Sequence, residues 1–505
     1  MSKATNLAQT DLIEQTEDNT PHIVLLENIA SDIKSAQAFG DTLKFAGRCL
    51  LISDMLALTI SFILGGLLAW MANTYLLHDT FQPLISFDTS KQFFIFAGLG
   101  AASLLWLDTR GHYRQRLPYW EAVGHIVTIA VIGFLMCGFI EFAAKSDFSR
   151  LWLGLSWVLF AGLILILRRV VRTVLMSLGR WSVPAILIGD GHSATAAIKA
   201  LKREPQMGFT IVRQISAKNL QQMTQPNAWK KLLHKFQACH IFLALDGSEL
   251  EIHQGALKAL VRERVPCSII PPWMDLPSST LSPHHFMMHD VMMLHDTNRL
   301  YLPLPRMLKR GFDIMVAGTA LLLLSPLFIL LTVLIRRDGG PAFFTQARTG
   351  RDGEQFRCFK FRSMRIDAEA FLVKYLAENP KAADEWQQFQ KLKNDVRITR
   401  LGHFIRKTSI DELPQLINVV KGDMSLVGPR PIMPGQENYY EDDFVYYESV
   451  RPGITGPWQV SGRNALTFKE RVALEVCYAR NWSLWMDIVI ILKTIPALLK
   501  KENAF

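Results

Sequence analysis

The sequence predicts a membrane protein of the α+β class. It should contain four transmembrane helices, a Rossmann-like α/β domain, and an α-rich C-terminal domain that carries a re-entrant membrane helix. Three observations lead there. Half of the 505 residues are apolar and only a fifth are charged, which is hydrophobic for a soluble chain. The long apolar runs are confined to the first third and to one stretch around Pro326. Between them, short apolar runs bounded by glycine and proline alternate with helical patterns.

Residues 1–45 read as a disordered cytosolic tail, because Glu14 to Asn19 form an unbroken polar row and no cleavable signal peptide is visible. Residues 46–175 form the membrane domain, with apolar segments near Leu50–Ala72, Phe93–Leu107, Val123–Phe142 and Leu151–Leu167. A crossing helix needs roughly 20 residues. Lys44 and Arg48 precede the first segment, Arg110, Arg114 and Arg116 fill the second loop, and Arg168, Arg169 and Arg172 follow the fourth segment. The first loop is poor in cations and the third is mixed. Cations stay on the cytosolic side, so this alternation puts both ends of the domain in the cytosol.

Residues 176–300 read as the Rossmann-like domain. Strands are expected at Pro184–Leu187, Phe209–Arg213, His240–Leu245 and Cys267–Ile270. The turn Gly189-x-Gly191-x-x-Ala194 is a degenerate dinucleotide fingerprint, and no acidic residue closes the next strand to hold a ribose hydroxyl. These residues favour a scaffold without a cofactor. His284, His285, His289 and His295 match no zinc spacing, so a soluble connector is expected there, with Met287, Met288, Met292 and Met293 as filler. The six scattered cysteines include no CxxC pair and read as reduced thiols.

Residues 301–505 begin with the uncharged run Ile314–Ile335, which Lys309 and Arg310 flank on one side and Arg336 and Arg337 on the other. A crossing helix would leave one basic cluster outside the cell. Pro326, after Ser325, removes a backbone hydrogen bond at the centre. A helix that breaks there and returns would keep both ends in the cytosol, which makes 309–337 a re-entrant segment.

Beyond it lies a dense run of basic, glycine and amide residues, with Asp411-Glu412 at its centre. Pro414 suits a first helical turn and Gly422 the position past the end, predicting a helix from about Glu412 to Val420. Asp411 fits an N-cap, and Ser409-x-x-Glu412 fits a capping box. Against that bland reading, Arg406, Lys407 and Arg430 bring positive charge without an obvious acidic partner for each. A helix start with arginines should lower a carboxylate pKa and bind phosphate. An ionised carboxylate there is a nucleophile for phosphoryl transfer, and a second one could hold Mg2+ against a diphosphate. Arg430, between Pro429 and Pro431, offers a rigid fork for phosphate.

The motifs are Ser325-Pro326, Lys360-Phe-Arg-Ser-Met364, Asp411-Glu-Leu-Pro-Gln415, Gly428-Pro-Arg-Pro431, Pro452-Gly-Ile-Thr-Gly456 and Trp458-Gln459-Val-Ser-Gly-Arg463. On these residues the chain from about Leu304 onward resembles the monotopic phosphoglycosyl transferases, which initiate bacterial glycan assembly on polyprenyl phosphate. The upstream helices and α/β domain make the whole similar to the large undecaprenyl-phosphate galactose or glucose phosphotransferases. The resemblance implies that Asp411 attacks the β-phosphate of a UDP-hexose, releases UMP and carries a covalent sugar phosphate. Undecaprenyl phosphate would then take that group, initiating O-antigen, capsule or exopolysaccharide. It implies Mg2+ at Glu412 and Asp411, and phosphate or substrate binding by Arg406, Arg430, Lys360, Arg362, Gln459 and Arg463. Ser325 and Pro326 would hold the helix bend. Galactose is expected before glucose. Glu475-Val-Cys477-Tyr478 departs from the family, which more often has aspartate and a second tyrosine there, so the sugar pocket is not legible.

A homodimer in the bacterial cytoplasmic membrane is expected, with the catalytic domain on the cytosolic face. The net charge of +10 is assigned to the lipid bilayer and phosphorylated substrates, with no nucleic acid partner. The stretch from Trp482 to Lys493 fits either an interfacial helix or packing on the core. Two rival functions exist. An NAD-dependent nucleotide-sugar dehydratase or epimerase would need Tyr-x-x-x-Lys, and none of the ten tyrosines has lysine four positions on. A non-catalytic assembly scaffold would not need Asp411.

Overall fold

The structure is a computed structural model that describes residues 24–77, 87–145, 149–271, 281–285, 292–296, 302–389, 392, 395–462 and 466–499. The chain forms two units, Met1–Met274 and Asp275–Phe505.

The first unit opens with helices α1 (Val24–Ala72), α2 (Phe87–Thr109), α3 (Tyr119–Ala143) and α4 (Arg150–Ser177). Each contains a stretch long and apolar enough to cross a membrane. Residues 24–45 were expected in the disordered tail but are helical, because the ladder of α1 runs back to Val24. Adding a residue to an existing helix needs no new nucleus. Residues 1–23 lie outside the described residues.

Between the helices, Phe62, Phe96, Trp152 and Trp157 make an aromatic core, and the Trp152 indole donates to the Phe62 carbonyl at 2.8 Å. Asp54 of α1 and Arg168 of α4 are both buried and pair at 2.5 Å. The Tyr113 hydroxyl donates to Asp54 at 2.8 Å, and His112 meets Arg168 at 2.8 Å. Buried charges persist only when so fully bonded.

The sheet follows as β1 (Val183–Ile188), α5 (His192–Arg203), β2 (Phe209–Ile215), α6 (Ala228–Lys235), β3 (His240–Leu243), α7 (Gly247–Ile252), α8 (Gln254–Arg262) and β4 (Cys267–Ile269). All four expected strands form, parallel and in the order β2-β1-β3-β4. The Asp246 carboxylate packs directly against Gly191 and accepts from the Ser193 amide at 3.4 Å. One of the chain's own acids therefore lies where a dinucleotide-binding turn would receive a pyrophosphate.

The second unit begins with the antiparallel pair β5 (Leu281–His285) and β6 (Met292–Asp296). The histidine-rich stretch, expected as a connector, is thus paired strand at its described residues, with His284 opposite Met293 and His295 opposite Ser282. It also groups with the second unit rather than with the Rossmann-like domain. His289 lies outside the described residues.

Helix α9 (Pro303–Arg336) carries Ser325-Pro326 inside it, and helical residues continue on both sides of Pro326. The reason is local. Proline at 326 has no N–H for the Leu322 carbonyl, and the Ser325 hydroxyl donates to that carbonyl instead, at 2.7 Å. Only 11% of the most apolar window of α9 is buried, so the helix offers a continuous apolar surface to lipid.

Both ends of α9 bind the rest of this unit. Next come the hairpin β7 (Phe343–Thr349) and β8 (Gln355–Phe361), then α10 (Ala368–Glu378), α11 (Pro380–Phe389), α12 (Arg400–Lys407), α13 (Gln415–Lys421) and β9 (Ser425–Val427). The chain ends with α14 (Phe444–Glu448), β10 (Gly453–Thr455), α15 (Pro457–Ser461), α16 (Phe468–Arg480) and α17 (Leu484–Leu499). At the start of α9, Arg310 donates to the carbonyls of Val419 and Val420 at 2.6 and 2.8 Å, capping α13. Lys309 pairs with buried Asp487 at 2.7 Å, which also accepts from Tyr478 and the Trp482 indole. At the other end, Arg362 donates to the Ile335 carbonyl at 3.0 Å. Trp482 is buried in the core, which settles its alternatives in favour of packing.

Ser325→Ala should remove the substitute donor and destabilise the protein by about 1–3 kcal/mol. Adding Pro326→Ala should restore stability, because alanine supplies the N–H that Leu322 needs. Melting temperatures of the three proteins in lipid nanodiscs check this. A double variant no more stable than Ser325→Ala would contradict it.

Candidate active site

Asp411 and Glu412 lie in a tight turn, Ile410–Glu412, between α12 and α13. Ser409 enters it with φ +57°, a left-handed conformation uncommon for serine and of the kind that collects at functional sites. Neither capping bond forms, because Ser409 makes no side-chain cap. Helix α13 starts at Gln415 rather than at Glu412, with Pro414 at its N-cap. It ends at Gly422, as expected, where φ is +104°. Asp411 is therefore not consumed as a helix cap.

Three elements bring cations to this turn. Strand β8 supplies Lys360, whose Nζ lies 2.7 Å from Glu412 Oε1. Helix α12 supplies Arg406, whose Nε donates to Ser363 Oγ at 2.8 Å. That helix sits unusually close to Ser363. A Cβ on Gly402 would lie 2.0 Å from the Ser363 carbonyl oxygen, so only glycine fits. The third element is the loop after β9. There the backbone N–H of Arg430 donates to Glu475 at 3.1 Å, and Arg348 donates to the Pro431 carbonyl at 3.1 Å. The exposed Arg430 guanidinium lies over the Trp458 ring at 4.9 Å and feels the charge of Glu412.

The relation of turn to strand is set by Asn418, which is fully buried in α13. Its Oδ1 accepts from the Phe359 amide at 3.0 Å and its Nδ2 donates to the Arg357 carbonyl at 2.8 Å. The side chain thus acts as a rung of β-ladder, fixing α13 against the residues just before Lys360.

Burial, and then the neighbouring Glu412 charge, push the Asp411 carboxyl above its ordinary value, while Lys360 and Arg406 pull it down. This corrects the expectation of a lowered pKa. The turn half-buries Asp411 and sets a like charge beside it, and these outweigh the cations.

The remaining expected residues separate. Arg362 is turned away, toward Ile335 and Asp338 at the end of α9. Gln459 donates to the Ile454 carbonyl at 3.0 Å, and its Oε1 is buried without a hydrogen-bond partner. Arg463 lies outside the described residues. Ser325 and Pro326 belong to α9 and maintain its ladder. The sequence reading gave no site role to Asn418, Arg348 or Glu475. The visible signal for Asn418 was an amide within the apolar stretch Leu416–Val420. Two adjacent carboxylates that repel each other are what a hard divalent cation relieves, so Asp411 and Glu412 fit Mg2+. Among the described residues no group of three or more His, Cys, Asp or Glu could hold a metal.

Residues 304–501 match the family model described as bacterial sugar transferase, and 108–244 match one described as CoA-binding domain. The undecaprenyl-phosphate galactose phosphotransferase of Salmonella typhimurium is 37% identical over 433 residues, covering 84% of this chain and 90% of its own length. The chain belongs to the bacterial sugar transferases. The UDP-galactose-lipid carrier transferase of Erwinia amylovora is 36% identical to this transferase, over 79% of the chain and 85% of the relative. A UDP-glucose:undecaprenyl-phosphate glucose-1-phosphate transferase of Caulobacter vibrioides is 38% identical over 40% of the chain and 75% of the relative. The transferase is an enzyme of the phosphoglycosyl transferase family and an integral membrane protein, which sets aside the dehydratase and scaffold readings.

Two measurements test the site. Asp411→Asn should raise the melting temperature near neutral pH. The folded state raises the Asp411 pKa, so stability falls as pH rises from the unfolded value of 3.8 through the folded one. The neutral amide escapes that loss, and the advantage should fade as pH approaches 3.8 from above. Asn418→Leu strands one backbone N–H and one C=O and should cost about 1–3 kcal/mol for each, read as a lower midpoint of thermal unfolding in detergent.

Proposed function

We propose that this transferase moves hexose-1-phosphate from a UDP-hexose to undecaprenyl phosphate by a two-step mechanism through Asp411. The observation that carries the reading is the carboxylate pair in an uncapped turn, with Lys360 and Arg406 acting on Asp411 and Arg430 on Glu412. In the first step an Asp411 oxygen attacks the β-phosphorus. The bond from that phosphorus to the bridging oxygen breaks, and UMP leaves with the electron pair. In the second step an oxygen of undecaprenyl phosphate attacks the same phosphorus and the Asp411 carboxylate departs unchanged, leaving undecaprenyl diphosphate hexose. Arg406 and Arg430 hold phosphate oxygens, and Lys360 orients Glu412. Glu412 and Asp411 would hold Mg2+, which when bound neutralises charge on the diphosphate.

The membrane reading follows from α9. A helix of 34 residues would reach about 50 Å, so crossing a core of about 30 Å would put its ends on opposite sides. Both ends are bonded to one globular unit, which supports a re-entrant helix with the four upstream helices as the spanning set. The site would then lie on the cytosolic face of the bacterial cytoplasmic membrane, where UDP-hexose meets lipid phosphate. Galactose is favoured over glucose, because two relatives that match most of this chain, over 84% and 79% of it, are named for galactose, whereas the glucose-named relative matches 40% of it. The product would initiate exopolysaccharide, O-antigen or capsule, and the enzyme would act as a homodimer, the commonest closed assembly.

UMP release from UDP-galactose and UDP-glucose with undecaprenyl phosphate is the direct test. Asp411→Asn should abolish it, and EDTA should do so reversibly. UMP formation by Asp411→Asn at more than background would end the two-step reading. Without lipid acceptor, wild-type enzyme should retain radiolabel from β-32P-UDP-galactose at Asp411.

A further inference from the structure

Arg430 is the exposed end of a loop whose backbone is held from beneath. Glu475 of α16 does this holding and is only 1% exposed. Its Oε1 accepts the Arg430 backbone N–H at 3.1 Å and lies 3.3 Å from Arg471 Nε. Its Oε2 accepts from the Tyr440 hydroxyl. Arg430 and Arg471 both lie over the ring of Trp458, at 4.9 and 5.5 Å. Two guanidiniums on one indole repel each other, and Arg430 feels the charge of Arg471. A buried carboxylate on the same side offsets that repulsion while it fixes the backbone of one of them.

A carboxylate carried into the interior costs desolvation, so its bonds matter. Arg348 and Tyr447 secure the neighbouring carbonyl of Pro431 and amide of Ile432. The amide of Arg430 itself is left to Glu475.

We propose that Glu475 is the positioning residue for Arg430. It sets the direction of the guanidinium through the backbone N–H and allows Arg471 to share the Trp458 ring. Glu475 touches no substrate. The proposal rests on the phosphate-binding role given above to Arg430.

The experiment is a double-mutant cycle on the full-length enzyme in nanodiscs, reading KM and kcat for UDP-galactose by UMP release. Arg430→Ala should raise KM by ~10-fold or more. Glu475→Ala should raise KM to a similar extent, with a smaller change in kcat. The Arg430→Ala/Glu475→Ala double variant should be no worse than Arg430→Ala alone. Glu475→Gln keeps an acceptor for the N–H but loses the charge that offsets Arg471, so its KM should fall between those of wild type and Glu475→Ala. Tyr440→Phe removes the hydroxyl's bond to Glu475 Oε2 without touching Arg430, so KM should hold. Should Glu475→Ala fail to fold, Glu475→Leu, similar in length and without an acceptor, takes its place in the cycle. Additive effects of the two substitutions, or a KM rise in Tyr440→Phe equal to that in Glu475→Ala, would overturn the positioning role. An unchanged KM in Arg430→Ala would instead overturn the phosphate role of Arg430, and this proposal with it.

Discussion

The geometry of the candidate site depends on one buried amide. Asn418 sits in α13, makes two hydrogen bonds to the backbone of β8 and a third to Asp423. Helices and strands do not share a ladder, so the packing of α13 on β8 would otherwise be set by side-chain shape alone. With the amide in place, the turn holding Asp411 and Glu412 is indexed to Lys360. The alternative, two unsatisfied backbone groups in a dry interior, is penalised strongly enough to exclude other registers.

The same device recurs on each side. Arg310 closes the far end of α13 from α9, and Glu475 closes the loop that presents Arg430. In each case a charged side chain bonds directly to backbone. That arrangement carries direction as well as energy. It lets a core whose apolar contacts are non-directional place several cations against two carboxylates. The expense appears at Asp411, whose burial beside Glu412 makes the folded chain hold a group that resists ionisation. Stability is given up at the residue proposed as nucleophile.

Helix α9 joins this site to the membrane. Its apolar surface faces outward, while Lys309 at one end and Arg362 toward the other tie it to the core. Ser325 and Pro326 illustrate how a local rule is modified by a neighbour. Proline deletes a donor and serine replaces it, so the Leu322 carbonyl is satisfied within α9. In lipid that replacement matters, since no water can take the orphaned carbonyl.

The sequence by itself determined the composition of the fold. Apolar length defined the membrane helices, alternation of strand and helix defined the parallel sheet, and Gly422 defined the end of α13. These signals are local, carried by residues within one element. The motifs likewise brought Lys360, Arg406, Asp411, Glu412 and Arg430 into view, because such residue types have few reasons to cluster. Tertiary structure alone decided which of them meet. Arg362 sits two residues from Lys360, where a continued strand would put both on one face, but β8 ends at Phe361 and Arg362 turns to α9 instead. The direction of the Asp411 pKa, the role of Asn418 and the hold of Glu475 on Arg430 also came from the tertiary structure. Each depends on burial and on partners dozens of residues away, and those distances are fixed only when the chain packs.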